Sequence, residues 1–249
     1  MTGLQTAATG AIAGGTILIG LPIVRLKVLG TRGRAFLASL SVGVLLFLFT
    51  DVVSKSGSVI DDTIVAGDGG RFAALATLFL LGLAIAPVVL ARAAKPKAGD
   101  AVLRLGMLIA IAIGFHNLAE GLAIGVASRQ GQVALAGTLV AGFALHNVTE
   151  GFGIVGPMGD HQPSWAWLLI AGVVAGSPTF FGSIIGYHMT AQPLQIAALG
   201  LAAGAIAYVM AEIGTAVMRR ASRELVLIGA LAGFIAGFAT DWILVATGA

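Results

Sequence analysis

The chain has 249 residues, of which 58% are hydrophobic and only 10% charged, with a mean hydropathy of +1.00 and a formal net charge of +3. An ordinary soluble domain carries about a quarter charged residues, and disorder goes with low hydrophobicity and high charge. Both are excluded, and the bilayer is the expected solvent. Cysteine is absent, which removes disulfides and thiolate metal sites. The 36 glycines suit helices packed closely through small residues.

A membrane helix needs roughly 20 mostly apolar residues. Eight such spans are predicted, at 4–24, 35–53, 71–94, 101–127, 132–156, 164–187, 193–218 and 225–247. They leave no room for a soluble domain, so 1–249 is expected to be one all-α transmembrane domain. No basic residue precedes the apolar run of span 1, because the first is Arg25. It therefore reads as a mature helix and not as a signal peptide. The connections are short except 54–70, which is expected to be a loop carrying Asp61, Asp62 and Asp68.

Lysine and arginine accumulate in cytoplasmic loops. Arg25, Lys27, Arg32 and Arg34 follow span 1; Arg92, Lys95, Lys97 and Arg104 lie between spans 3 and 4 or at their facing ends; Arg219, Arg220 and Arg223 lie between spans 7 and 8. These are eleven of the fourteen basic residues, and they fall on one side only if the span count is even. Both termini are then expected outside. Basic residues confined to connections, despite a pI near 9.7, give no reason to expect a nucleic-acid partner.

Ionisable residues at membrane depth are costly and are functional candidates by default. His116, Glu120, His146, Glu150 and Glu212 lie inside spans, with Asp51 and Asp241 nearer span ends. Span 4 contains His116-Asn117-Leu118-Ala119-Glu120-Gly121, and span 5 contains His146-Asn147-Val148-Thr149-Glu150-Gly151. The pattern H-N-x-x-E-G thus occurs twice, 30 residues apart. On a helix, i and i+4 share a face. A short connection makes spans 4 and 5 antiparallel neighbours, so both motifs can converge near mid-membrane. Two imidazoles and two carboxylates suit a divalent transition metal such as Zn²⁺, Fe²⁺, Mn²⁺, Co²⁺ or Cd²⁺. Asn117 and Asn147 can add oxygen ligands or orient the others. There is no G-x-x-x-x-G-K-[ST] loop for a nucleotide.

These residues resemble the ZIP family of divalent metal transporters, in particular its bacterial branch with GufA-like sequences. HNLAEGLAIG at 116–125 is similar to the family's fourth-helix motif and HNVTEGFGI at 146–154 to its fifth. GLAAGAIAYVMAEI at 200–213 resembles the seventh helix, with Glu212 as its acid, and SVGVLLFLFTDVV at 41–53 loosely resembles the second. The resemblance implies an eight-helix bundle with both termini outside and a metal site between helices 4 and 5. His116, Asn117, Glu120, His146, Asn147 and Glu150 fall on the family's ligand positions. It also implies transport towards the cytoplasm across the cell (inner) membrane, by an elevator-like motion of helices 1, 4, 5 and 6 against the rest, often in a homodimer.

The chain departs from the family pattern in three places. Ala119 and Thr149 stand where a proline often precedes each motif glutamate. Ser177 precedes Pro178 where many members carry a glutamate that completes a second metal position, so one principal ion is expected, with Ser177 a weak ligand. The connection 92–104 contains no histidine. The reading is therefore a transporter and not an enzyme. It carries divalent metal, foremost zinc, as substrate and requires no cofactor. Glu212, Ser177 and Asp51 are candidates for its pathway. A membrane metalloenzyme and a proton-coupled solute carrier, each using the same His/Glu pairs, are the alternatives.

Overall fold

The computed structural model describes residues 1–25, 29–94, 100–159 and 161–246. Lys27, Lys95, Lys97 and Asp160 lie outside the described residues. Among the described residues eight helices are long and apolar enough to cross a membrane, and there is no strand. They are α1 (Gly3–Arg25), α2 (Thr31–Val65), α3 (Gly69–Ala93), α4 (Ala101–Arg129), α5 (Val133–Val155), α6 (Trp165–His188), α7 (Gln192–Met218) and α8 (Arg223–Ala246).

Local chemistry sets their ends. Thr2 and Gln5 form a reciprocal capping box at the start of α1. Asp68, Asp100 and Ser164 cap α3, α4 and α6 by accepting backbone N–H groups of the first turn. Span 1 crosses as one unit, Gly3–Arg25, but is not uniform. It is α-helical to Gly15, continues through Ile17–Gly20, and tightens into a 3-10 turn over Leu21–Arg25, where Pro22 cannot extend the α-helical ladder. The expectation of a loop at 54–70 is corrected. Helix α2 runs on to Val65, so Asp61 and Asp62 are exposed helical residues and Asp68 is a cap. Hydropathy falls after Val53, but no proline interrupts the backbone pattern there, and polar helix can project beyond the apolar slab.

The helices sort into two packing groups. In the first, α6 packs on α4 and α1, and α5 packs on α1 and α4. In the second, α3 packs on α7 and α2 packs on α8 and α7. The α4–α6 seam is built on reciprocal close approach. A Cβ at Gly121 or Gly125 would strike the backbone of Thr179 or Ser183, and one at Gly182 or Gly186 would strike that of Leu118 or Leu122. Small residues of this kind let membrane helices approach to backbone contact. Between the groups, α4 packs on α7, and α2 and α7 meet the α5 end through side chains, as where Ala38 abuts Gly156 and Ile213 abuts Gly153. Helix α4 is central: residues of every face are buried from Ile109 to Ser128 apart from a few positions. The outer faces of α3 and α8 present Leu80, Leu81, Val88, Leu227, Leu231 and Ile235, each more than 45% exposed. Such a surface is solvated by lipid.

Four connections meet at one end of the bundle. Arg25 donates to the carbonyl of Pro163 (2.7 Å), Arg34 to that of Gly159 (2.7 Å) and Arg220 to that of Pro157 (2.7 Å). His161 lies 3.5 Å from Asp100, which brings in the α3–α4 connection. The α5–α6 connection has no lysine or arginine of its own, yet it is where the basic residues of other connections converge. The opposite end carries Met1 against Tyr187 and Ser128, and Arg71 bonded to Gln192 (2.6 Å).

The α4–α6 seam tolerates nothing larger than glycine. Gly182→Val is expected to abolish monodisperse protein in detergent. Gly57→Ala, on an open face of α2 with nothing within 4 Å of the added carbon, is expected to raise stability by about 0.5–1 kcal/mol. Thermal unfolding followed by tryptophan fluorescence checks both.

Candidate metal centre

The two H-N-x-x-E-G motifs converge. His116 lies fifteen residues into α4 and His146 thirteen residues into the antiparallel α5. At 1.5 Å per residue they sit about 22 and about 20 Å from opposite helix starts. Both helices run unbroken through the motifs, as expected where Ala119 and Thr149 replace proline. Glu120 is shared between the helices. Its Oε1 lies 3.0 Å from Nε2 of His116 and 2.5 Å from Nε2 of His146. The Oε1 of Glu150 lies 3.8 Å from the same His116 nitrogen. Ligand atoms of His116, Glu120 and His146 all fall within 4.8 Å of one another. His116, Glu120 and Glu150 are buried, and the His146 side chain is 14% exposed.

The asparagines hold the frame. The Asn117 amide donates to the carbonyl of Ala175 on α6 (2.9 Å), and the Asn147 amide donates to that of Ala13 on α1 (2.9 Å). Each ties its motif to a neighbouring helix and leaves its own Oδ1 turned to the interior. Among the described residues, those two Oδ1 atoms, Oε2 of Glu120 and both carboxylate oxygens of Glu150 are buried without a hydrogen-bond partner. Buried acceptors are rarely left so. Five unsatisfied oxygens beside two imidazoles form a donor set suited to a divalent cation. Zinc binds nitrogen and oxygen donors of this kind, at about 2.0–2.2 Å.

One side of the cluster opens. A cavity of about 120 Å³ runs between α2, α5 and α8, lined by His146, Thr149, Asp51, Lys55, Thr138 and Asp241 together with apolar residues. It lies towards the end opposite the arginines. Towards the arginine end the interface is closed by hydrogen bonds onto backbone carbonyls. Ser41 on α2 donates to Thr149 (2.7 Å), and beyond it Arg220 and Arg34 hold Pro157 and Gly159. Gly159 has φ +60, and a Cβ there would strike the Arg220 guanidinium.

The other sequence candidates sit apart from the cluster. Asp51 lines the cavity and pairs with Lys55 at 2.8 Å. Glu212 is half-buried on α7, six residues before its end and hence nearer the arginine end. Ser177 is half-buried, one turn from Val173 and Phe181, which are more than half exposed, so it faces away from the packed side of α6. Sequence reasoning passed over Lys55 and Ser41. The i, i+4 spacing of Asp51 and Lys55 was a readable signal for the first. A serine bonding a carbonyl of another helix leaves no such trace.

A polytopic helical bundle with a buried His/Glu cluster beside a cavity is an architecture suited to passing a cation across a membrane. The family model described as ZIP Zinc transporter matches residues 91–239, more than half of the chain and including both motifs. The chain belongs to the ZIP family, and it is an integral, multi-pass divalent metal transporter; members of this family are transporters and not enzymes. No curated protein gives a significant match to the chain.

The arginine contacts make a structural prediction. Arg34→Gln with Arg220→Gln should leave the helices folded and speed amide hydrogen exchange in 156–163 by roughly tenfold or more, as lost charge-assisted bonds free the connection. Unchanged protection would show that these contacts do not order it.

Proposed function

We propose that this protein, of the bacterial GufA-like branch, moves zinc across the cell (inner) membrane into the cytoplasm through the His116/Glu120/His146/Glu150 cluster. The observation that carries this reading is the buried, under-satisfied donor set with a cavity that reaches His146 from the end opposite the arginines. The arginine-rich end is cytoplasmic by the distribution of basic residues. The cavity therefore faces outward, and the arrangement corresponds to a transporter ready to load.

The ion sheds water as it passes from the cavity to His146 and then to His116, Glu120 and Glu150. The two carboxylates offset its charge in a medium where a bare divalent ion is very costly. Asn117 and Asn147 orient the motifs and offer Oδ1 as further ligands. Release requires the cluster to face the arginine end. Glycine-to-backbone seams within each packing group, against side-chain contacts where α5 meets α2 and α7, support displacement of α1, α4, α5 and α6 relative to α2, α3, α7 and α8. Glu212 stands on the release side. One principal ion fits the one such cluster among the described residues, since Ser177 faces away from the packed side of α6.

Proteoliposomes enclosing a zinc-sensitive dye test the reading. Wild type is expected to carry Zn²⁺, and a Glu120→Ala, Glu150→Ala double mutant of unchanged elution profile to lose roughly a hundredfold or more. Normal flux in that mutant would sink the assignment. Asn117→Ala or Asn147→Ala should weaken zinc binding by roughly 10–100-fold, the range for groups that orient ligands, measured by calorimetric titration.

A further inference from the structure

The outer cavity carries four titratable side chains among its described lining residues: Asp51, Lys55, His146 and Asp241. His146 belongs to the cluster. Two carboxylates and one ammonium therefore stand between the outer mouth and the metal centre. The ammonium is not free. Lys55 Nζ lies 2.8 Å from Oδ2 of Asp51, one helical turn further out on α2. Asp51 is 27% exposed and Lys55 60%, so the carboxylate is recessed and the ammonium sits over it from the watery side.

A cation moving inward that engages Asp51 meets a carboxylate already neutralised. It must displace the lysine, and the lysine is built to be displaced. Its ammonium is a compact, strongly hydrated charge on a flexible four-carbon stem, without the planar fork that makes arginine pairs bidentate. An exposed i, i+4 pair of this kind is weak, so a divalent ion can exchange with it.

We propose that Lys55 is a tethered competitor cation: it occupies Asp51 at the cavity mouth, and metal loads the cavity by displacing it. Lys55 thereby sets the metal concentration at which transport half-saturates and screens Asp51 from weaker monovalent cations. It touches the ion only by exclusion and takes no part in ligation at the His/Glu centre. The inference rests on the proposed function, because it assigns a role on the path to that centre.

The test is zinc flux in proteoliposomes with buffered free Zn²⁺ outside, for wild type, Lys55→Met, Lys55→Arg, Asp51→Asn and the Asp51→Asn, Lys55→Met double mutant. Lys55→Met is expected to lower KM by roughly one-and-a-half- to fivefold, the span of an exposed ion pair, with kcat unchanged. Lys55→Arg should hold KM at or above the wild-type value. In the Asp51→Asn background the Lys55 substitution should no longer lower KM, because no carboxylate remains to be released. A KM unmoved by Lys55→Met overturns the inference and leaves the transporter reading intact. So does a fall in KM that persists without Asp51 and disappears in high salt, which would mark simple long-range repulsion. Absence of metal flux in wild type overturns the transporter reading, and this inference with it.

Discussion

The carboxylate of Glu120, held between two imidazoles on two different helices, is the constraint on which the rest of the structure depends. A carboxylate at membrane depth is tolerable only with partners, and here one partner is a turn before it on α4 while the other stands on α5. That sharing fixes the relative depth of two antiparallel helices. The asparagines beside the histidines then tie α4 to α6 and α5 to α1. One buried charge and its immediate neighbours thus set the register of four helices. In a lipid medium the apolar effect that would do this in water is absent.

The two packing groups use different chemistry for different ends. Seams such as that of Gly121 and Gly125 against Thr179 and Ser183 are interlocked at backbone distance and leave little freedom to slide. The contact of α5 with α2 rests on side chains and on hydrogen bonds to carbonyls at its arginine end, with a cavity at its other end. The bundle is interlocked around the His/Glu cluster on α4 and more openly joined where α5 meets α2.

Much of the centre was legible in the sequence because it obeys two simple periodicities. His and Glu four apart share a helix face, and a three-residue turn makes neighbours antiparallel. Repetition of the motif converted two weak signals into one strong one. The extent of α2 was not legible, because hydropathy reports where lipid ends and not where hydrogen bonding ends, and Lys55 was hidden in the supposed loop beyond 53. The arginine contacts were invisible for another reason. Arg25, Arg34 and Arg220 were read as a topological bias, while their acceptors are main-chain oxygens that every residue possesses. The unpartnered oxygens of Glu150 and the asparagines are likewise a property of three-dimensional surroundings alone.

Those main-chain acceptors shape how this end of the protein can vary. Because Pro157, Gly159 and Pro163 are gripped by their carbonyls, the grip needs no particular side chain at Pro157 or Pro163, while Met158 beside them is fixed by its own burial in the core. The restraint falls on three arginines far away in sequence, and on Gly159, whose missing side chain makes room for one of them. Over evolutionary time, constancy at those distant anchors and at Gly159, beside freedom at the exposed Gln162, would then be the mark of such an arrangement.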